Sequence, residues 1–288
     1  MAHKLEQSDL VAFQNQAAGH DGVLQSASGH LIIKPSTEAE VEFYESLADD
    51  AHADFAALTP TYMGRLDLKL DDPVAAAKTP VAVVLENATH NFRKPAVLDV
   101  KLGKLLTDPA TTSADKIARL GAVAATTTTG SLGFRIAGMR VWRGTEYEYF
   151  DKTFGRGFTA ETVADGFRAF FPAALGPART ARLVEMFAGG LAHVQQVLEA
   201  SEVRMYSASV LFVYEGDVGR FDEIEAAAEA GAAAEPDPPS DSDDEPGEPE
   251  LCTLKLIDFA HSHWVPGEGP DTNVLGGLAS LAAIFDRL

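Results

Sequence analysis

Apolar and polar positions change period several times along the chain, and each change marks an element. VLQSASGHLIIKP reads as strand, turn and strand with Ser28-Gly29 at the turn, and Lys34 closes the second apolar run. STEAEVEFYESLA then switches to helical period: Glu40 precedes Phe43, Tyr44 and Leu47 on the buried stripe, whereas Glu42 falls beside Glu45 and Ser46 on the polar side. Thr37 and Glu40 also have capping-box spacing, so Glu40 either closes that box or is left to pair with Lys34. VAVVLE is a buried strand ending at Glu86-Asn87. In PAVLDVKLG, residues 95–103, strand alternation puts Val97, Asp99 and Lys101 on one face and Leu98, Val100 and Leu102 behind them.

Further on, Ser113 is the expected N-cap of a helix carrying Lys116 and Arg119 one turn apart. TTTTGSLGFRIAGMRVW leads into a half-buried strand with Phe134, Ile136 and Met139 inward. FDKTFGRGF is read as a turn, Thr159 and Thr162 as a second capping-box pattern, and ARTARLVEMFAGGLAHVQQVLEA as a long amphipathic helix. RMYSASVLFVYEG, residues 204–216, reads as one continuous strand. LCTLKLIDFAHSHW is a strand ending in Asp258, and ASLAAIFDRL is a closing helix.

Composition changes this picture at one place. Residues 222–250 turn abruptly to Ala, Glu, Asp, Pro and Ser, with twelve acids and no Lys or Arg. Such a run buries too little apolar area to offset its ordering entropy, so an acidic, disordered loop inserted in the second half of the chain is expected. It accounts for most of the formal net charge of −20 and leaves −8 for the rest, which argues against nonspecific nucleic-acid or anionic-membrane binding. A phosphate-rich ligand would therefore need a local basic pocket. The single cysteine, Cys252, allows no intrachain disulfide, and neither a leader-like apolar run nor a membrane span is present. An intracellular protein, nuclear or cytoplasmic, is expected.

An acid and a base two residues apart on a strand are ordinarily a solvated edge. The fixed frame of Pro95, Asp99, Lys101 and Gly103, however, resembles the PxxxDxKxG signature of the inositol polyphosphate kinase family. Two more ordered segments share the resemblance: SLGFRIAGM at 131–139 and IDFAH at 257–261. It implies an α+β, two-lobed, protein-kinase-like fold, with an N-lobe over 1–94, a C-lobe over 95–288 and a short inositol-binding helical insert at 104–125. The shortness of that insert favours the multikinase or hexakisphosphate kinase branches. The implied activity is transfer of the ATP γ-phosphate to hydroxyls of inositol trisphosphate and tetrakisphosphate, with pyrophosphate formation on the hexakisphosphate as the alternative. A regulatory scaffold acting through the acidic loop is the reading outside enzymology.

Roles follow from the same resemblance. Asp99 and Lys101 become the catalytic pair, one orienting or deprotonating the hydroxyl and the other neutralising the phosphoryl group. Lys34 and Glu40 match the lysine–acid pair that holds ATP phosphates, and Glu86-Asn87 the hinge, although Asn87 departs from the acidic pattern that would reach ribose. A QxAGHDG-like segment containing Gly19 and Gly22 is expected to cover the nucleotide, ordinary turn chemistry being its bland alternative. Asp258 would hold Mg2+; a lone acid at a strand end is otherwise a cap or turn residue. Lys104, Lys116 and Arg119 are the expected phosphate clamp. His261 either contacts substrate phosphate or is a hydrogen-bonded structural histidine. Expected partners are soluble inositol polyphosphates, with protein partners possible through 222–250.

Overall fold

The structure is a computed structural model that describes residues 10–13, 17, 22–67, 81–232 and 250–288. Gly19 and the core of the expected nucleotide-covering segment lie outside the described residues. Strands β1 (Leu10–Ala12), β2 (Leu24–Ser26), β3 (Leu31–Ser36), β4 (Tyr62–Asp67) and β5 (Val81–Glu86) form an antiparallel sheet in the order β1-β2-β3-β5-β4. The β2–β3 turn closes through Gly29, whose φ of +79° suits glycine. Helices α1 (Glu38–Ser46) and α2 (Ala53–Ala57) connect β3 to β4.

From Asn87 the chain crosses to a second antiparallel sheet. Its strands are β6 (Pro95–Leu102), β7 (Phe134–Trp142), β8 (Tyr147–Phe150), β10 (Ser209–Glu215) and β11 (Cys252–Ile257), in the order β11-β10-β6-β7-β8. A small ribbon pairs β9 (Val203–Met205) with β12 (Ser262–Trp264). Helices α3 (Ala114–Ala125), α4 (Thr128–Leu132), α5 (Lys152–Arg156), α6 (Val163–Phe170), α7 (Pro177–Glu199), α8 (Val218–Ala232) and α9 (Thr272–Phe285) complete this lobe. The signature strand β6 lies at its centre, between β10 and β7, which is why its apolar face is so complete: Leu98, Val100 and Leu102 are all 0% exposed. Aromatic side chains from β10, α6, α7 and α9 cover that face, with Phe212 stacked on Phe285 at 5.3 Å and Phe187 edge-on to Phe212 at 5.1 Å.

Backbone crossings fix the end of β6. A Cβ on Gly277 of α9 would lie 2.0 Å from the Gly133 carbonyl oxygen, so only glycine allows that approach, and the same oxygen accepts the Gly103 N–H at 2.8 Å. Gly103 itself has φ +87°, and a Cβ there would meet Asn273 Nδ2 at 2.5 Å. The last glycine of the signature is thus required by geometry twice over.

Several sequence expectations are corrected. FDKTFGRGF is not a plain turn: Asp151 accepts the Thr153 N–H at 2.8 Å and starts α5. Of the expected Thr159–Thr162 capping box only the returning half forms: Thr162 Oγ1 accepts the Thr159 N–H at 2.9 Å, while α6 begins after Thr162 with no side-chain cap. Ser113 occupies the N-cap position of α3 without a side-chain bond. The run 204–216 is two strands, β9 and β10, broken at Ser207, whose φ is +62°. The acidic run does not begin as a loop either. Residues up to 232 belong to α8, pinned by buried Phe221 and Ile224 and by a two-bond clamp from Arg179 to Asp222 at 2.7 and 2.6 Å.

Candidate active site

Lys34 lies on β3 beside the start of α1, so its ammonium meets the first turn of that helix. Thr37 caps α1 by accepting the Glu40 N–H at 3.3 Å, but the Glu40 carboxylate does not return to the cap. It accepts instead from Lys34 Nζ at 2.8 Å, from the Ser36 hydroxyl and from the Phe259 N–H at 2.9 Å. Glu40 is 1% exposed, and a carboxylate buried that deeply is tolerable because each oxygen is satisfied. Burial alone would pull Lys34 down, yet Asp258 and Glu40 outweigh it and hold its pKa well above the ordinary lysine value. Lys34 is therefore a fixed positive charge.

The second sheet contributes the acids. β6 carries Asp99, with a register shift against β7 between Asp99 and Val100, and β11 delivers Asp258 at its end. Asp258 adopts φ +69°, a left-handed conformation that costs free energy in a non-glycine residue. Its neighbour Phe259 is fully buried and its N–H is held by Glu40, which anchors that turn. Asp258 accepts from Lys34 Nζ at 2.7 Å and lies 3.8 Å from Lys101 Nζ. Lys101 in turn donates to the Ser207 carbonyl at 2.5 Å. Asp99 is 4% exposed, and its Oδ1 has no hydrogen-bond partner. Loss of water pushes the Asp99 pKa up, opposed by Lys101 and reinforced by Asp258.

Two cavities meet at this cluster. One is walled by Val23, Ile32, Leu85, Leu211 and Ile257, with Lys34, Asp99 and Asp258 as its polar lining. The other is lined by Lys34, Lys101, Lys116, Tyr206, Asp258 and His261. Lys34 and Asp258 belong to both walls. An apolar slot and a basic slot thus share one lysine and one carboxylate, the layout needed to pass a charged group from one occupant to another. Among the described residues no group of three His, Cys, Asp or Glu could hold a metal ion by itself. Asp258 together with phosphate oxygens and water fits Mg2+, which commonly takes few protein ligands, and Asp99 lines the same cavity as Asp258.

The expected site residues divide accordingly. Lys34, Glu40, Asp99, Lys101, Lys116, Asp258 and His261 come together. Lys116 Nζ stands 3.3 Å from His261 Nε2; an ammonium has no acceptor, so Nε2 accepts and the imidazole is neutral. Burial first, then Lys116, pulls the His261 pKa below its ordinary value, in keeping with that assignment. Lys104 and Arg119 are exposed and do not line the basic cavity. The hinge pair lines the apolar cavity, but Asn87 is spent on structure: its Nδ2 donates to the Gly29 carbonyl at 2.7 Å, and its Oδ1 accepts from Thr89 N and Oγ1 at 3.0 and 2.8 Å. The Asn87 side chain thus clips the hinge to the hairpin, in keeping with its departure from the acidic pattern that would reach ribose. Glu86 likewise accepts from Thr61 Oγ1 at 2.7 Å. Tyr206 and Ser207 escaped the sequence reading because only tertiary structure brings the β9–β10 break to Lys101.

Fold and site together define a two-lobed, kinase-like phosphotransferase cleft, and comparison with known proteins makes this specific. The sequence profile of the inositol polyphosphate kinase family matches residues 82–286. The inositol polyphosphate multikinase of Saccharomyces cerevisiae is 32% identical over 94% of this chain and 96% of its own length. That of Schizosaccharomyces pombe is 32% identical over 97% and 98%. Mouse inositol hexakisphosphate kinase 1 is 30% identical, over 72% of this chain and 51% of its own. The crystal structure of the S. cerevisiae inositol phosphate multikinase in complex with ADP and Mn2+ superimposes with a TM-score of 0.73 at 33% identity, covering 90% of this chain and 99% of that one. The chain belongs to the inositol polyphosphate kinase family.

Proposed function

We propose that the protein is an ATP-dependent inositol polyphosphate multikinase that phosphorylates hydroxyls of inositol trisphosphate and tetrakisphosphate toward the pentakisphosphate. The observation that carries this reading is the pair of cavities sharing Lys34 and Asp258, one apolar and one lined by lysines. ATP occupies the first, with its phosphates directed at Lys34, and the inositol phosphate occupies the second. Asp258 would hold a divalent cation, which would supply neutralisation of the polyphosphate charge. Asp99 accepts the proton of the attacking hydroxyl, a task suited to a carboxyl whose pKa burial has raised. Lys101 and Lys34 stabilise charge on the phosphoryl oxygens during in-line transfer. Lys116 leaves neutral His261 for a substrate phosphate, and His261 remains as a donor through its other nitrogen.

Asp258→Asn tests the assignment. The variant should fold, with turnover reduced by orders of magnitude and not recovered at saturating substrate. Turnover close to wild type would remove Asp258 from the mechanism. Pyrophosphate formation is the second reading, favoured by the 30% identity to a hexakisphosphate kinase. Product analysis with tris-, tetrakis- and hexakisphosphate separates the two. We also propose the acidic run as a surface for basic protein partners. Residues 233–249 lie outside the described residues, and none of the described residues 222–232 and 250 lines either cavity, so replacing 233–249 by a short linker should leave kcat unchanged while abolishing such binding.

A further inference from the structure

Tyr44 is 1% exposed, yet its hydroxyl has no hydrogen-bond partner. Buried polar groups are nearly always paired, and an orphan carries an uncompensated desolvation cost that phenylalanine would avoid in the same space. Packing does not explain the choice of tyrosine: the ring stacks on Tyr62 at 5.6 Å and meets Phe259 edge-on at 5.3 Å, contacts a phenylalanine makes equally well. What distinguishes the position is its outlook. Tyr44 follows Glu40 by one turn on the same face of α1 and lines the apolar cavity together with Lys34 and Asp258. Its hydroxyl feels the charges of Glu40, Lys34 and Asp258, and burial first, then Glu40, keeps it protonated.

Charge balance there gives the hydroxyl a use. Lys34 is shared between two carboxylates, at 2.8 and 2.7 Å, and Lys101 lies 3.8 Å from Asp258, so much of the lysine charge is already countered by acids when a polyphosphate arrives. A neutral donor adds affinity without adding another ion to desolvate. We propose that the Tyr44 hydroxyl is a nucleotide-binding group that donates a hydrogen bond to a phosphate oxygen of the bound nucleoside triphosphate. The proposal rests on reading the apolar cavity as the nucleotide site.

Tyr44→Phe removes one oxygen atom and nothing else. The unliganded variant should unfold at the wild-type temperature or above it, because an unpaired buried hydroxyl is gone. Its affinity for ADP and ATP, followed by calorimetry and by ligand-induced thermal stabilisation, should fall about ten-fold, the loss of one hydrogen bond to a charged acceptor, with adenosine binding unchanged. A lower unfolding temperature with unaltered nucleotide affinity would make Tyr44 structural only. Equal weakening of adenosine would place the hydroxyl on the nucleoside and overturn the phosphate assignment, as would unaltered affinity with unaltered stability. Wild-type protein not stabilised by ADP or ATP would instead remove the nucleotide reading of the cavity, a failure visible before any variant is made.

Discussion

Asp99 loses nearly all contact with water on folding, and that loss raises its pKa more than Lys101 lowers it. The linkage has a definite sign. With the folded-state pKa above the unfolded one, stability is fully present below the unfolded value and is lost as pH rises through the folded value. Asp99→Asn, a neutral mimic, should therefore raise the unfolding temperature near pH 7, with the gain vanishing in acid. The same change should lower turnover by roughly 10²–10⁴-fold, the usual contribution of a positioned base, and abolish the acid limb of the wild-type pH–rate profile. A variant that loses both activity and stability near neutral pH would contradict this account. Alternation along PAVLDVKLG was enough to join Asp99 and Lys101, since a two-residue period is local. Helical phase likewise singled out Glu40 over Glu42. The partners of the Asn87 side chain, Gly29 and Thr89, were not legible, because they are set by how the hairpin folds onto the hinge, which no window of sequence contains.

Glycines and helix docking carry the site at the scale of elements. Gly103 ends β6 with φ +87° and a side-chain amide where a Cβ would stand, so Gly103→Ala should destabilise by about 1–3 kcal/mol, through the backbone strain and the displaced Asn273. Chemical denaturation measures this. Because Asn273 also holds the Leu105 N–H and carbonyl at 2.9 and 3.2 Å, the loop leading to α3 should loosen with it. No residue of α3 is fully buried, so its pose depends on its ends and on the Lys116–His261 contact. The sequence placed Lys116 and Arg119 on one face but could not say which turns toward the cavity, because that is decided by docking rather than by periodicity. Lys116→Ala should raise the inositol phosphate KM about ten-fold with little change in the KM for ATP, as expected for one charge-assisted contact, whereas Arg119→Ala should change neither appreciably. Comparable effects from both variants would mean that α3 binds through its whole polar face.

At the scale of the molecule, catalysis requires two sheets to present one cluster, and covalent connection through residues 87–94 alone would leave them free to rotate. Five hydrogen-bonded ties among the described residues cross the junction: the Lys34–Asp258 ion pair, the Glu40–Phe259 bond, a backbone bond from Leu256 N to Leu58 O at 2.8 Å, a bond from Lys255 Nζ to the Ala57 carbonyl at 3.2 Å, and the Trp264 indole, which donates to Ser46 Oγ at 2.8 Å. Trp264 also stacks on His52 at 3.6 Å and on Phe43 at 5.5 Å, so one side chain from the second sheet is wedged among α1 and its neighbours. The Trp264 contacts were not readable beforehand; HSHW gave a tryptophan after a strand, and its partners lie more than two hundred residues away in sequence. Trp264 lines neither the apolar nor the basic cavity, which separates its role from chemistry. Trp264→Ala should cost about 3 kcal/mol, as large aromatic truncations do. Part of that loss should appear as weakened coupling between the sheets: a broader thermal transition, with KM for both substrates rising together and falling back toward wild type on cooling. Trp264→Phe, which keeps the ring contacts and deletes only the donor to Ser46, should recover most of the stability. Turnover lost in Trp264→Ala with a sharp, wild-type transition would show that the residue acts on the reaction itself, and the junction would then have to be held by the other ties alone.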